Sequence, residues 1–167
     1  MHTRWNLEEN RRFAIQEFGR CALPWLPGFV SRRFVQSTAD KMSAYRSTFG
    51  ITEATGPEID TWTGELLDTL DAHFAQHPYL LGGRPCLGDF ALYGPLYAHV
   101  WRDPGSRALV ESRAQVLAWI ERMTKPDGTR TAFLADDAIP ETLLPILARM
   151  FKEQFPVLHT TVERVAA

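Results

Sequence analysis

The chain has 167 residues, 45% hydrophobic and 23% charged, with a net charge of −2 and an isoelectric point near 6.2. These values fit one domain, residues 1–167, with a substantial core, and they exclude the basic character of a nucleic-acid binder. No run reaches the roughly 18–20 apolar residues of a membrane span, no apolar leader is visible, and Cys21 and Cys86 lack metal-ligand spacing, so the expected setting is reducing and cytoplasmic.

Hydrophobic periodicity predicts helices throughout. Leu7 to Phe18 reads as a short helix, with Glu8 and Glu9 in the first turn, where carboxylates favour the positive dipole end. Cys21 to Gly28 holds Pro24, Pro27 and Gly28 and reads as a turn, with Trp25 and Leu26 packed as an anchor. Phe29 to Phe49 is a long helix with Val30, Phe34, Met42, Tyr45 and Phe49 on one stripe, and Gly50 stops it. Pro57 to His77 is the next, striped by Ile59, Trp62, Leu66, Leu70 and Phe74.

Leu87 to Arg102 reads as a helix that is apolar on most of its circumference, as befits the middle of a bundle. Asp103-Pro104-Gly105 ends it. Ser106 to Met123 follows as one helix, with Leu109, Val116, Leu117, Ile120 and Met123 inward. Thr124 to Asp137, containing Pro126, Asp127 and Gly128, is a loop. The last helix spans Pro140 to Val165. Pro145 falls early enough to be tolerated, and Pro156 is expected to kink or end the helix. No strand alternation, repeat or low-complexity segment is present.

Residues 79–102 carry the most specific pattern. The turn Gly82-Gly83-Arg84-Pro85 leads to a helix start at Cys86. Asp89 stands three residues on, where its carboxylate reaches back to an unpaired backbone N–H, as in a capping box. A thiol is a poor acceptor, so Cys86 weakens the reciprocal half. The string Leu-Leu-Gly-Gly-Arg-Pro, then Asp-Phe-Ala-Leu, then Gly-Pro-Leu-Tyr-Ala-His resembles the central helix of the C-terminal domain of bacterial glutathione transferase-like proteins. Gly82 matches that family's turn glycine, and Cys86 and Asp89 match its capping positions. Arg113 to Met123 is similar to the family's next helix. Arg4-Trp5-Asn6, Glu8-Glu9 and Glu17-Phe18-Gly19-Arg20 resemble its first helices.

The resemblance implies an all-α bundle of the glutathione transferase C-terminal domain type, with a truncated first helix and no thioredoxin-like domain in this sequence. In the family that upstream domain binds glutathione and activates its thiol, while the helical domain walls the site for the apolar co-substrate. This chain is therefore expected to hold no cofactor and to have no catalytic residue of its own. Glutathione would enter only with a supplied thioredoxin-like domain. Expected partners are such a domain, a second copy of the chain or an apolar small molecule, and neither nucleic acid nor a membrane. The alternative is a non-catalytic protein-interaction or small-ligand-binding module.

The candidate substrate-pocket residues are Arg4, Trp5, Tyr93, Tyr97 and Trp101. Tyr93, Tyr97 and Trp101 recur every turn of one helix, as pocket lining or, the commoner outcome, as core packing. Arg4 and Trp5 stand where the family's first helix borders the inter-domain cleft, and Trp5 is expected to be exposed there. Gly82, Cys86 and Asp89 are structural. His99 reads as a hydrogen-bonded group at a helix end. His73 and His77 have metal-compatible spacing but no third ligand, and they read as a solvated helix end. The pairs Arg11-Arg12 and Arg32-Arg33 read as solvated helix faces.

Overall fold

A computed structural model describes residues 2–125 and 131–166. Among these the regular structure is helical, apart from single bridges pairing Tyr79 with Gly82 and Gly82 with Phe133. The all-α class read from the sequence therefore holds. The predicted loop residues Pro126, Asp127 and Gly128 lie outside the described residues. Two compact units form: residues 1–64 with 92–112, and residues 65–91 with 113–167.

In the first unit, α1 (His2–Asn6) and α2 (Glu8–Ala22) precede α3 (Gly28–Thr48). The helix expected to end at Phe18 continues to Ala22 because Gly19 acts as a packing residue rather than a stop. Gly19 is buried, and a Cβ on it would lie 2.9 Å from Ser31 Oγ and 3.2 Å from the Arg32 backbone nitrogen. The missing side chain lets α2 and α3 approach closely. Trp5, Ala14, Ile15 and Ala39 form the core here, with Phe18 and Val35 packed against them. Trp25 is no anchor: it is 76% exposed. Much of the apolar stripe on α3 also faces solvent, with Phe34, Tyr45 and Phe49 all exposed; the small residues Ser31 and Ala39 are the buried ones.

α4 (Gly56–Phe74) and α5 (Leu87–Leu96) each begin in one unit and end in the other. α5 is not buried all round. Leu87 is 85% and Phe90 60% exposed, whereas Asp89 and Leu96 are buried. The continuation of α5 is a widened turn, Tyr97–Trp101, closed by the Arg102 N–H donating to the Tyr97 carbonyl at 2.9 Å. Pro95 sits just before it. Proline cannot donate and crowds the carbonyl four residues back, and π turns absorb such mismatches.

The predicted helix from Ser106 to Met123 is two helices, α6 (Arg107–Glu111) and α7 (Ala114–Thr124). No glycine or proline marks the break. Its cause is the Asp71 carboxylate, whose Oδ1 accepts from the Gln115 and Val116 N–H groups at 2.8 and 3.1 Å. A helix start can be satisfied this way by a carboxylate distant in sequence. The terminal segment comprises a 3₁₀ turn (Glu141–Leu143), α8 (Leu144–Arg149), a π turn (Met150–Gln154) and α9 (Phe155–Ala166). Pro145 lies in the first turn of α8, as expected. Pro156 does not end the helix: Phe155 keeps helical angles (φ −59°, ψ −41°), and the widened turn stands directly before it.

In the second unit the Asp89 carboxylate has no solvent exposure. It accepts from the Cys86 N–H at 2.9 Å, the Leu80 N–H at 3.1 Å and the Trp119 indole N–H at 3.0 Å. Trp119, also fully buried, stacks on Phe74 with ring centroids 4.8 Å apart. Gly82 adopts φ +115°, and a Cβ there would lie 2.9 Å from the Leu134 nitrogen, so the turn requires glycine. Asp89→Ala leaves three donors without their acceptor: the buried Trp119 indole and the part-buried Leu80 and Cys86 N–H groups. Urea unfolding followed by circular dichroism is expected to show a loss of about 3 kcal/mol or more.

Candidate functional site

The site residues in the first unit are organised by a polar cluster that the sequence reading missed. Asp103 is fully buried. Arg4 forks onto it, with Nε donating to Oδ2 at 2.8 Å and Nη2 to Oδ1 at 2.6 Å, and Nη2 also donates to the Ala98 carbonyl. Such bidentate guanidinium–carboxylate pairs fix geometry as well as charge. Asn10, also buried, accepts from the Gly105 N–H at 2.7 Å and donates to the Thr3 carbonyl at 3.2 Å. Ser106 donates to the Val100 carbonyl at 2.9 Å. Asp103-Pro104-Gly105 is thus more than a helix stop, because its carboxylate fixes α1. The available signal was a lone aspartate at a helix end and a lone arginine near the start of the chain, and nothing local links them.

Clamping α1 in this way buries Trp5, which is only 5% exposed. The expectation of an exposed Trp5 is overturned: its ring packs near Phe18, centroids 6.3 Å apart, within the α2–α3 core. One edge of Trp5 still borders a recess of about 300 Å³. Phe18, Met42, Tyr45 and Phe49 supply the apolar wall, and Arg4 and His99 also line it. The exposed stripe on α3 therefore has a use: its C-terminal part forms one side of this recess.

His99 also borders the recess. Its Nδ1 is shut off from solvent and has no hydrogen-bond partner among the described residues, contrary to the hydrogen-bonded helix-end reading. Burial, reinforced by the Arg4 guanidinium, lowers its pKa from 6.5 to about 4. The ring is neutral at physiological pH.

Tyr93, Tyr97 and Trp101 stack as a ladder, with centroids 5.1 and 5.6 Å apart. They are partly buried, and none of them lines the recess at Trp5. The structure thus brings Arg4 and Trp5 to one recess and leaves the three rings of the ladder as a separate group.

His73 is not a solvated helix end. It is fully buried, with Nδ1 2.7 Å from Thr142 Oγ1 and Nε2 3.2 Å from the Tyr79 carbonyl. The carbonyl only accepts, so Nε2 carries the hydrogen and the Thr142 hydroxyl donates to Nδ1. Burial pushes this histidine's pKa down too. No group of three or more potential metal-ligating side chains forms among the described residues. Cys86 is partly buried, and burial pushes its thiol pKa up, away from nucleophilic character.

The fold and site together define an all-helical domain with an apolar ligand-sized recess. Residues 64–122 match the family model described as Glutathione S-transferase, C-terminal domain. Over that segment the chain is similar to the helical C-terminal domain of glutathione transferases. Neither a curated protein nor a solved structure matches it. Among the described residues, no helix is long and apolar enough to cross a membrane.

Buried His73 and partly buried His99 set a pH dependence. Their folded-state pKa values lie below the unfolded value of 6.5, so the unfolded chain takes up protons first as pH falls. Their contribution to stability is complete above about pH 6.5 and declines as pH falls toward 4. Urea unfolding across that window is expected to show a shallower decline for His99→Asn than for the parent chain.

Proposed function

We propose that residues 1–167 form a single helical domain of the glutathione transferase C-terminal type, acting as the substrate-side half of a two-part site. The matched segment draws residues from both compact units, which supports reading them as one domain. The reading rests chiefly on the apolar recess at Trp5, Phe18, Met42, Tyr45 and Phe49. Its volume, about 300 Å³, suits a small apolar ligand. The surface of the recess is almost wholly apolar, and the neighbouring His99 Nδ1 is shut off from solvent, so shape and apolar contact select the ligand.

Glutathione does not fit this recess. The tripeptide carries two carboxylates, and the only cation on the wall, Arg4, is already committed to Asp103 and the Ala98 carbonyl. The chemistry implied by the family is addition of the glutathione thiol to an electrophilic apolar substrate, or displacement of a leaving group by it. Thiol binding and activation are then the task of a thioredoxin-like domain, in the same protein or a separate one. The residues of this chain hold and orient the electrophile, exclude water from it and select it by shape. The setting is cytoplasmic.

A protein-interaction role is the second reading, and α9 favours it. The helix is exposed along its whole length, with Phe155, Leu158, Val162 and Val165 spaced along one apolar face.

Fluorescence titration with the neutral apolar dye N-phenyl-1-naphthylamine tests the first reading. Saturable binding is expected, weakened about tenfold in Phe49→Asp, which sets a charge in the recess at an exposed position. Calorimetry with glutathione and the chain alone is expected to give no saturable heat. Equal dye binding by the variant, or saturable glutathione binding, would sink the proposal.

A further inference from the structure

Two pairs of arginines distant in sequence converge on one recess. Arg11 and Arg12 on α2, and Arg32 and Arg33 on α3, line an open recess of about 550 Å³ together with Glu8 and Gln36. This recess is separate from the apolar one, and the inference does not rest on that site. We propose that it binds a small ligand bearing two or more phosphate groups.

The charge inventory carries the argument. Arg12 pairs with Glu8 at 2.8 Å, and Arg11 pairs with Asp40 at 2.7 Å. Gln36 donates to the same Asp40 oxygen at 2.9 Å, which holds that carboxylate toward α2. Those two carboxylates neutralise one pair of guanidiniums. Arg32 and Arg33 take part in no ion pair among the described residues. Arg32 is tethered only through Nε, which donates to the Gly28 carbonyl at 3.1 Å and leaves its terminal nitrogens available.

Two positive charges are therefore left over on one concave wall, in a chain whose net charge is −2. Like charges gathered this way repel one another, and a bound anion relieves that repulsion. Independent solvated faces would have no reason to point their cations into a shared hollow. The planar guanidinium fork matches phosphate oxygens in pairs, and a multiply charged anion answers an excess of two where a single carboxylate does not. A neighbouring recess on the same hairpin shares Arg32 and adds Gln16 and Arg20, the latter paired with Glu17 at 3.2 Å. A ligand with successive phosphates can follow that line.

Calorimetric titration of the folded chain with tripolyphosphate and with pyrophosphate tests this. Expected is one saturable site that weakens as salt is added, with tripolyphosphate the tighter ligand. The double variant Arg32→Ala, Arg33→Ala is expected to weaken binding about tenfold or more while keeping the parent circular-dichroism spectrum. Glu8→Gln removes the one carboxylate on the wall and is expected to tighten binding, a gain that misfolding cannot mimic. A second arm uses phosphatidylcholine vesicles with and without a bisphosphorylated inositol lipid. Vesicle binding that needs both the lipid and Arg32 and Arg33 assigns the phosphates to a headgroup, and binding of free polyphosphate alone assigns a soluble ligand. Absence of saturable binding in both arms, or unchanged affinity in the arginine variant, overturns the proposal.

Discussion

A carboxylate fully removed from water must be met by donors on every side, or the charge is too costly to bury. Asp89 meets that condition with three N–H groups: two from the backbone around the turn at Leu80 and Cys86, and one from the Trp119 indole. The turn, the start of α5 and α7 are therefore set by a single side chain. Gly82 is held at a backbone angle that suits glycine because the same turn must close against Leu134. Asp71 applies the same principle one step further, creating a helix start where the local sequence would have run on. One helix start in this unit is thus capped by a local carboxylate and another by a carboxylate distant in sequence.

The first unit uses a charged pair in place of a single acceptor. Arg4 and Asp103 fix α1 against the end of the Tyr97–Trp101 turn, and the Trp5 ring is drawn into the core as a result. That arrangement gives the apolar recess its floor and commits Arg4 Nε and Nη2 to Asp103 and the Ala98 carbonyl. Positive charge for a ligand is found elsewhere, on the α2–α3 hairpin. One small unit thus keeps an apolar hollow and a cationic hollow apart, and their wall chemistry suits them to different ligands.

Much of this was legible in the sequence where the determinants are local. Helical class, the long helix ending before Gly50, the stripe through Leu70 and Phe74, and the reach of Asp89 to residue 86 all follow from spacing and capping rules. What was not legible depends on partners far along the chain. Trp5 reads as a terminal aromatic until Asp103 is placed beside Arg4. His73 reads as solvated until Thr142 is seen against it. The break between α6 and α7 has no breaker in the sequence because Asp71 supplies its cause. The prolines sit beside widened turns: one follows Pro95, inside a stretch that already reads as one helix, and another precedes Pro156, where the helix does not end. The candidate site followed the same division. Arg4 and Trp5 did prove to be neighbours of one recess, but its aromatic wall came from the far end of α3 rather than from the tyrosine ladder.

The Arg4–Asp103 pair also has a meaning in time. Its members are 99 residues apart, so on a ribosome adding about 5–20 residues per second the second appears roughly 5–20 seconds after the first. Helix formation and short loop closure need only microseconds or less. The α2–α3 hairpin can therefore assemble while Arg4 still lies in water and Trp5 waits without its lid. This helix is locked long after it is synthesised, and for those seconds the nascent chain presents an aromatic side chain to whatever attends its emergence.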